Sequence, residues 1–215
     1  NSSSSDNSAS RNNGVKPDDW APSPDTKPDT NTGNADNFTD IADVPWAKDA
    51  ILYLAKKGYI NGFDDGTYRP NDTITREQFA KIIVNVLGYD TYQYDPAEFT
   101  DMDKNAWYAK FVTIAAKSGL INGIDDNNFG TGMDITRQDM CTIIYRAIKT
   151  DNIKMSEIYS DIQFSDTASD YAQEAIRELY RWGLVNGVGD NKFDPFGSVT
   201  RAMAAKLLYQ LSLKL

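Results

Sequence analysis

Histidine is absent from the 215 residues, and cysteine occurs once, at Cys141. A Ser-His-Asp triad, an HExxH zinc site and an internal disulfide are therefore excluded. Guanidinium and carboxylate groups remain. Three arginines recur in one setting: Arg76, Arg137 and Arg201 each follow a threonine and open an apolar helical pattern. Thr75 stands where a helix N-cap belongs, and Gln78 three residues on completes a capping box. Capping does not explain the arginine, because a cation in the first turn faces the positive end of the helix dipole. Two accounts are equally good on physical grounds. Each arginine pairs with a carboxylate, such as the Asp of a recurring Phe-Thr-Asp segment, or it joins free helix-start N–H groups in an anion pocket.

The acids suggest less. An EF-hand loop needs oxygen ligands at its first, third and fifth positions, Gly at the sixth and Glu at the twelfth. Counting from Asn61, the third position is Phe63 and the twelfth Asp72, and from Asn186 the third is Val188, so turn chemistry accounts for these residues and no metal site is assigned. A carboxylate glycosidase needs two facing acids, whereas the repeated acids here are turn and capping types. No catalytic residue and no cofactor is assigned. Trp46, Trp107 and Tyr171 begin the apolar stripe of successive helical patterns, which favours a core role, although aromatic faces also stack on sugar rings. Cys141 aligns with Ala80 and Ala205 and reads as a small buried position, while Trp182 has Lys57 and Ser118 as counterparts and is unexplained.

These residues lie on a repeat. Phe38-Thr39-Asp40, Phe99-Thr100-Asp101 and Phe164-Ser165-Asp166 open three units. Each continues to a Gly-x-x-Asn-Gly loop ending at Gly62, Gly123 or Gly187, and closes on its Thr-Arg pair and a second helical pattern. The Asp65-Gly66 turn signal, with Asp125-Asp126-Asn127-Asn128 and Gly189-Asp190-Asn191-Lys192 as its counterparts, predicts a short turn or strand pair in each loop. Within each unit the pattern is helix, loop, helix, and two short helices cannot bury so wide a stripe alone. The expected fold is all-α: three helix-loop-helix repeats, at 38–90, 91–150 and 151–215, packed as a pseudo-threefold three-pronged bundle. Residues 1–37 hold seven Ser, seven Asn and four of the eight Pro, and read as a disordered linker at the end of an excised or processed piece.

Net charge is −9, from 22 basic and 31 acidic residues, which argues against binding nucleic acid through the overall field. No stretch reaches the roughly 18 apolar residues of a membrane span, so no membrane insertion is expected.

The frame Phe-Thr-Asp, Trp, Gly-Tyr-Ile-Asn-Gly, Asp-Asp-Gly-Thr-Tyr-Arg-Pro, Ile-Thr-Arg-Glu resembles the bacterial S-layer homology domain, in three copies over residues 38–215. The resemblance implies an extracellular, non-catalytic anchor to the cell wall or S-layer, monomeric, whose partner is a secondary cell-wall polysaccharide with a terminal pyruvylated amino-sugar. It also implies that Arg76, Arg137 and Arg201 contact the pyruvate, tipping the balance toward the anion pocket. Gly62, Gly123 and Gly187 would let the backbone approach the sugar, with Trp46, Trp107 and Tyr171 lining the walls. In the second unit Gly130-Thr131-Gly132 replaces Arg69-Pro70-Asn71, so its groove ranks lowest for shape. The alternatives are a protein–protein scaffold of the envelope or a binder of modified peptidoglycan.

Overall fold

The computed structural model describes residues 38–92, 95 and 99–215, so the expected linker lies outside the described residues. Six α-helices follow in pairs: α1 (Pro45–Lys56) and α2 (Arg76–Val86), α3 (Ala109–Lys117) and α4 (Arg137–Thr150), α5 (Asp170–Arg181) and α6 (Arg201–Ser212). Their limits follow from local chemistry. Pro45 opens α1, where its missing N–H costs nothing. The Thr75 hydroxyl accepts from the Gln78 N–H while the Gln78 amide accepts from the Thr75 N–H, forming the capping box that starts α2. Gly58, at φ 71°, turns the chain out of α1 in the left-handed region.

The helices pair across units rather than within them. Helix α2 packs on α3, α4 on α5, and α6 returns to α1. Each prong is thus the second helix of one unit against the first helix of the next, and the third unit closes back on the first. The apolar stripes meet in one core that includes Ile51, Leu54, Phe79, Ile83, Phe111, Ile144 and Leu208, all fully buried. Each such side chain contributes about 1.5–3 kcal/mol.

A backbone ring marks the pseudo-threefold axis. Ile74 N–H donates to the Val199 carbonyl at 3.0 Å, Val199 N–H to Ile135 at 3.1 Å, and Ile135 N–H to Ile74 at 3.0 Å. Isolated bridges flank it, Thr73 with Thr200, Thr75 with Asp134 and Thr136 with Ser198. No strand forms among the described residues, so of the expected turn or strand pair each loop takes the turn. Phe63 N–H reaches the Thr67 carbonyl at 2.8 Å, and Ile124 and Val188 bond Asn128 and Lys192 likewise. Asp65, Asn127 and Asn128 spend their groups inside these turns, leaving too few residues to extend a ladder.

Candidate functional site

Each Thr-Arg arginine begins a second helix at the axis and reaches into the following unit. Arg76 Nε donates to the Phe129 carbonyl at 2.9 Å and its Nη2 to Asn122 at 3.0 Å. Arg137 repeats this on Phe193 and Asn186, both at 3.0 Å. Arg201 completes the circle on Tyr68 and Asn61 of the first unit, both at 2.9 Å. Each guanidinium also lies beside the ring it anchors, 5.2 Å from Phe129, 4.6 Å from Phe193 and 4.5 Å from Tyr68. The first role of these arginines is therefore to staple the loop of the next unit by two charge-assisted bonds.

This geometry corrects both sequence-based accounts. The opening aspartates do not pair with the arginines. Asp40 accepts the backbone N–H groups of Tyr68 and Arg69, Asp101 those of Phe129, Gly130 and Thr131, and Asp166 those of Phe193 and Asp194. One aromatic residue per loop is thus held at its N–H by its own unit's aspartate and at its carbonyl by the previous unit's arginine. Nor are the helix-start N–H groups free for an anion. Those of Arg76, Arg137 and Arg201 donate to the Met133, Gly197 and Asp72 carbonyls, and those of Gln138 and Ala202 to Pro195 and Pro70. Assembly of the units consumes these donors.

The aspartate clasps make stability pH-dependent. Burial pushes the Asp101 carboxyl up, but the donors of Phe129, Thr131 and Gly130 outweigh it and hold the group below its ordinary range. Asp166 follows the same balance, with Phe193 and Asp194 as donors. A depressed folded-state value stabilises above the unfolded value of about 3.9, and that contribution disappears as pH falls through the folded value. Asp101→Asn should therefore lower stability near neutral pH, with the deficit shrinking as the solution is acidified below about pH 4. Urea midpoints measured across that range check this, and a deficit constant with pH would contradict it.

Of the aromatics, Trp46 is 50% exposed and Tyr171 54% exposed, while Trp107 is half-buried. The core role that spacing favoured therefore fails for Trp46 and Tyr171. They stand in the first turns of α1 and α5, with about half of each side chain in solvent. The glycines have an internal reason. A Cβ on Gly62 would lie 2.3 Å from the Phe38 ring and 2.6 Å from the Thr67 carbonyl oxygen. On Gly123 it would lie 2.3 Å from the Asn128 carbonyl oxygen, and on Gly187 2.6 Å from that of Lys192. The close approach these glycines permit is to their own unit's turn.

Between units the pieces form grooves. In one, Arg76, Asn122, Gly123, Asp139, Arg146 and Tyr171 line a cavity of about 390 Å³. A larger cavity of about 540 Å³, beside α5 in the third unit, contains none of the three Thr-Arg arginines. In the repeat, the positions of Arg76, Gly123, Asp139 and Tyr171 correspond to Arg137, Gly187, Met203 and Trp46, and then to Arg201, Gly62, Gln78 and Trp107.

The S-layer homology domain matches residues 37–80, 98–141 and 163–205. The chain belongs to the S-layer homology family. It is a cell-surface, cell-wall-associated module. This S-layer homology chain is 37% identical over 176 residues to an amylopullulanase of Thermoanaerobacterium thermosulfurigenes, matching 81% of the chain and 9% of that protein. It is 35% identical over 176 residues to exoglucanase XynX of Acetivibrio thermocellus, matching 81% of the chain and 16% of that protein. To the S-layer protein EA1 of Bacillus anthracis it is 30% identical over 172 residues, matching 80% of the chain and 20% of that protein. The chain thus spans a fifth or less of each relative's length.

Sequence reasoning passed over five further residues of this S-layer homology fold. Lys81 lies five residues after Arg76, with its Nζ 5.6 Å from the Trp107 ring centre. Lys206 takes the same register on α6, and Thr142 takes it on α4. Asp139 and Arg146 stand in the Arg76 groove. A column-by-column comparison of the three units would have exposed the lysines. No sequence signal says that Asp139 meets Arg76.

Proposed function

We propose that this module anchors its protein to the cell wall, without catalysis, by holding a polysaccharide whose terminal amino-sugar carries an acidic pyruvate ketal. The observation supporting this reading is the guanidinium at each inter-unit groove with an aromatic side chain at its rim. At Arg137 and Arg201, Nη1 has no hydrogen-bond partner among the described residues. Such an edge offers parallel N–H donors to a carboxylate, while an exposed indole such as Trp46 offers a flat apolar face to a sugar ring. The glycines at 62, 123 and 187 shape the loop, and the polymer contacts its backbone. Several weak sites on one polymer then act together, since later contacts are effectively intramolecular.

Titration calorimetry with a synthetic pyruvylated amino-sugar, against its unpyruvylated form, tests the reading. Binding should require the pyruvate. Trp46→Ala should weaken binding on the order of tenfold, about 1.4 kcal/mol, with the melting temperature unchanged because the ring is half in solvent. Equal binding of both sugars would remove the acidic group from the reading. No binding of either by folded protein would transfer it to modified peptidoglycan or a protein partner.

A further inference from the structure

The three grooves share a frame but differ in charge. At Arg137 the third helical position of the next unit is Met203, which carries no hydrogen-bonding anion. At Arg201 it is Gln78, whose side-chain oxygen is already committed to the Thr75 N–H at 3.2 Å. At Arg76 it is Asp139, and Arg76 Nη1 donates to Asp139 Oδ2 at 3.1 Å. All three guanidinium nitrogens of Arg76 are thus engaged, and the residue is only 6% exposed. The carboxylate is itself fixed, because Oδ1 accepts the Tyr171 hydroxyl at 2.7 Å and that hydroxyl accepts from Gln138 Nε2 at 2.9 Å. The rim aromatic of this groove is therefore tied down by the same acid. The lysine position of the other two units is also lost here, where Thr142 donates its hydroxyl back to the Gln138 carbonyl.

We infer that Asp139 is a built-in carboxylate that occupies the ligand edge of Arg76, so that acidic saccharide groups are held at the Arg137 and Arg201 grooves and refused at the Arg76 groove. The inference rests on the reading that the outer guanidinium edges are the ligand contacts. An intramolecular carboxylate competes at an effective concentration of about millimolar or more. A free ligand must also break the Tyr171 bond to replace it. Arg146, which other units replace with Asn85 and Gln210, does not restore the site. It donates one N–H to the Leu120 carbonyl at 3.4 Å and lacks the pair of bonds to the Phe129 and Asn122 carbonyls that orient Arg76.

The test follows the side-chain Nε–H signals of the arginines by NMR while the whole chain is titrated with the pyruvylated amino-sugar, with calorimetry giving the stoichiometry. In wild type the Arg137 and Arg201 signals should move, those of Arg76 and Arg146 should stay, and about two sugars should bind per chain. Asp139→Asn, which keeps the side chain's shape, should add a third site whose affinity lies within about tenfold of the others and make the Arg76 signal move. Movement of Arg76 or Arg146 in wild type at the same concentrations overturns the inference and leaves the acidic-ligand reading standing. A folded Asp139→Asn protein that still binds two sugars also overturns it. If neither Arg137 nor Arg201 responds, the acidic-ligand reading itself falls and takes this inference with it.

Discussion

A fragment ending at Thr150 is expected not to fold, although it contains the first two units entire. In a linear array of helical repeats each unit rests on its neighbours, and an end unit can be removed at limited cost. Here α1 packs on α6, so deleting the third unit exposes the apolar face of Ile51 and Leu54. It also removes Val199 from the axial ring and the Arg201 staple from Asn61 and Tyr68. Helix α4 loses α5 in the same cut. Two of the three prongs are left as single helices of 12 and 14 residues, lengths that are marginal on their own in water. Circular dichroism of the fragment should show most helicity lost, while residues 38–215 should unfold in one transition. A folded monomeric fragment, or stepwise unfolding of the intact module, would refute the closed-ring account.

Removing the guanidinium of Arg76 is expected to be the most destabilising of the three arginine substitutions. Arg76→Ala leaves the Phe129 and Asn122 carbonyls without their donor and takes the ion-pair partner from Asp139, whose side chain is 24% exposed and keeps only the Tyr171 hydroxyl. Breaking a largely buried pair from one side costs about 3–5 kcal/mol. Arg137→Ala and Arg201→Ala leave two carbonyls unpaired but no carboxylate, and should cost about 1–3 kcal/mol. Urea unfolding of the three variants gives the order directly. In an Asp139→Asn background the Arg76→Ala penalty should fall toward that of the other two. Equal penalties in all three would show that the ion pair contributes nothing beyond the staple.

These effects also separate two duties of the same side chain. One edge of each arginine builds the junction between units, so an alanine there perturbs folding and, on the proposed reading, binding as well. Trp46 carries no such double duty, and the opening aspartates serve the fold through the loop backbone. The resemblance to S-layer homology domains pointed to the arginines by motif. It did not reveal that most of each guanidinium is committed to the protein itself.

Much of the architecture is local and was therefore legible in the residues. The threefold recurrence, the Thr caps, the capping box at Thr75 and Gln78, the Gly58 turn and the apolar faces of the helices all depend on neighbours within a few positions. Tertiary structure decided which faces meet. Periodicity marks Phe79 and Ile83 as buried, but it does not state that α2 packs on α3 of the next unit rather than on α1 of its own. The partners of the arginines were hidden for the same reason: Arg76 reaches Asn122 across 46 positions, and Arg201 reaches Asn61 across 140. Exposure of Trp46 and Tyr171 was settled by where each first helix emerges from the bundle, which spacing along one helix does not encode. Sequence by itself determined three modules with a cation at each second-helix start. Only the closed packing of those modules decided that each cation faces the next unit's loop, and that one of them meets a carboxylate there.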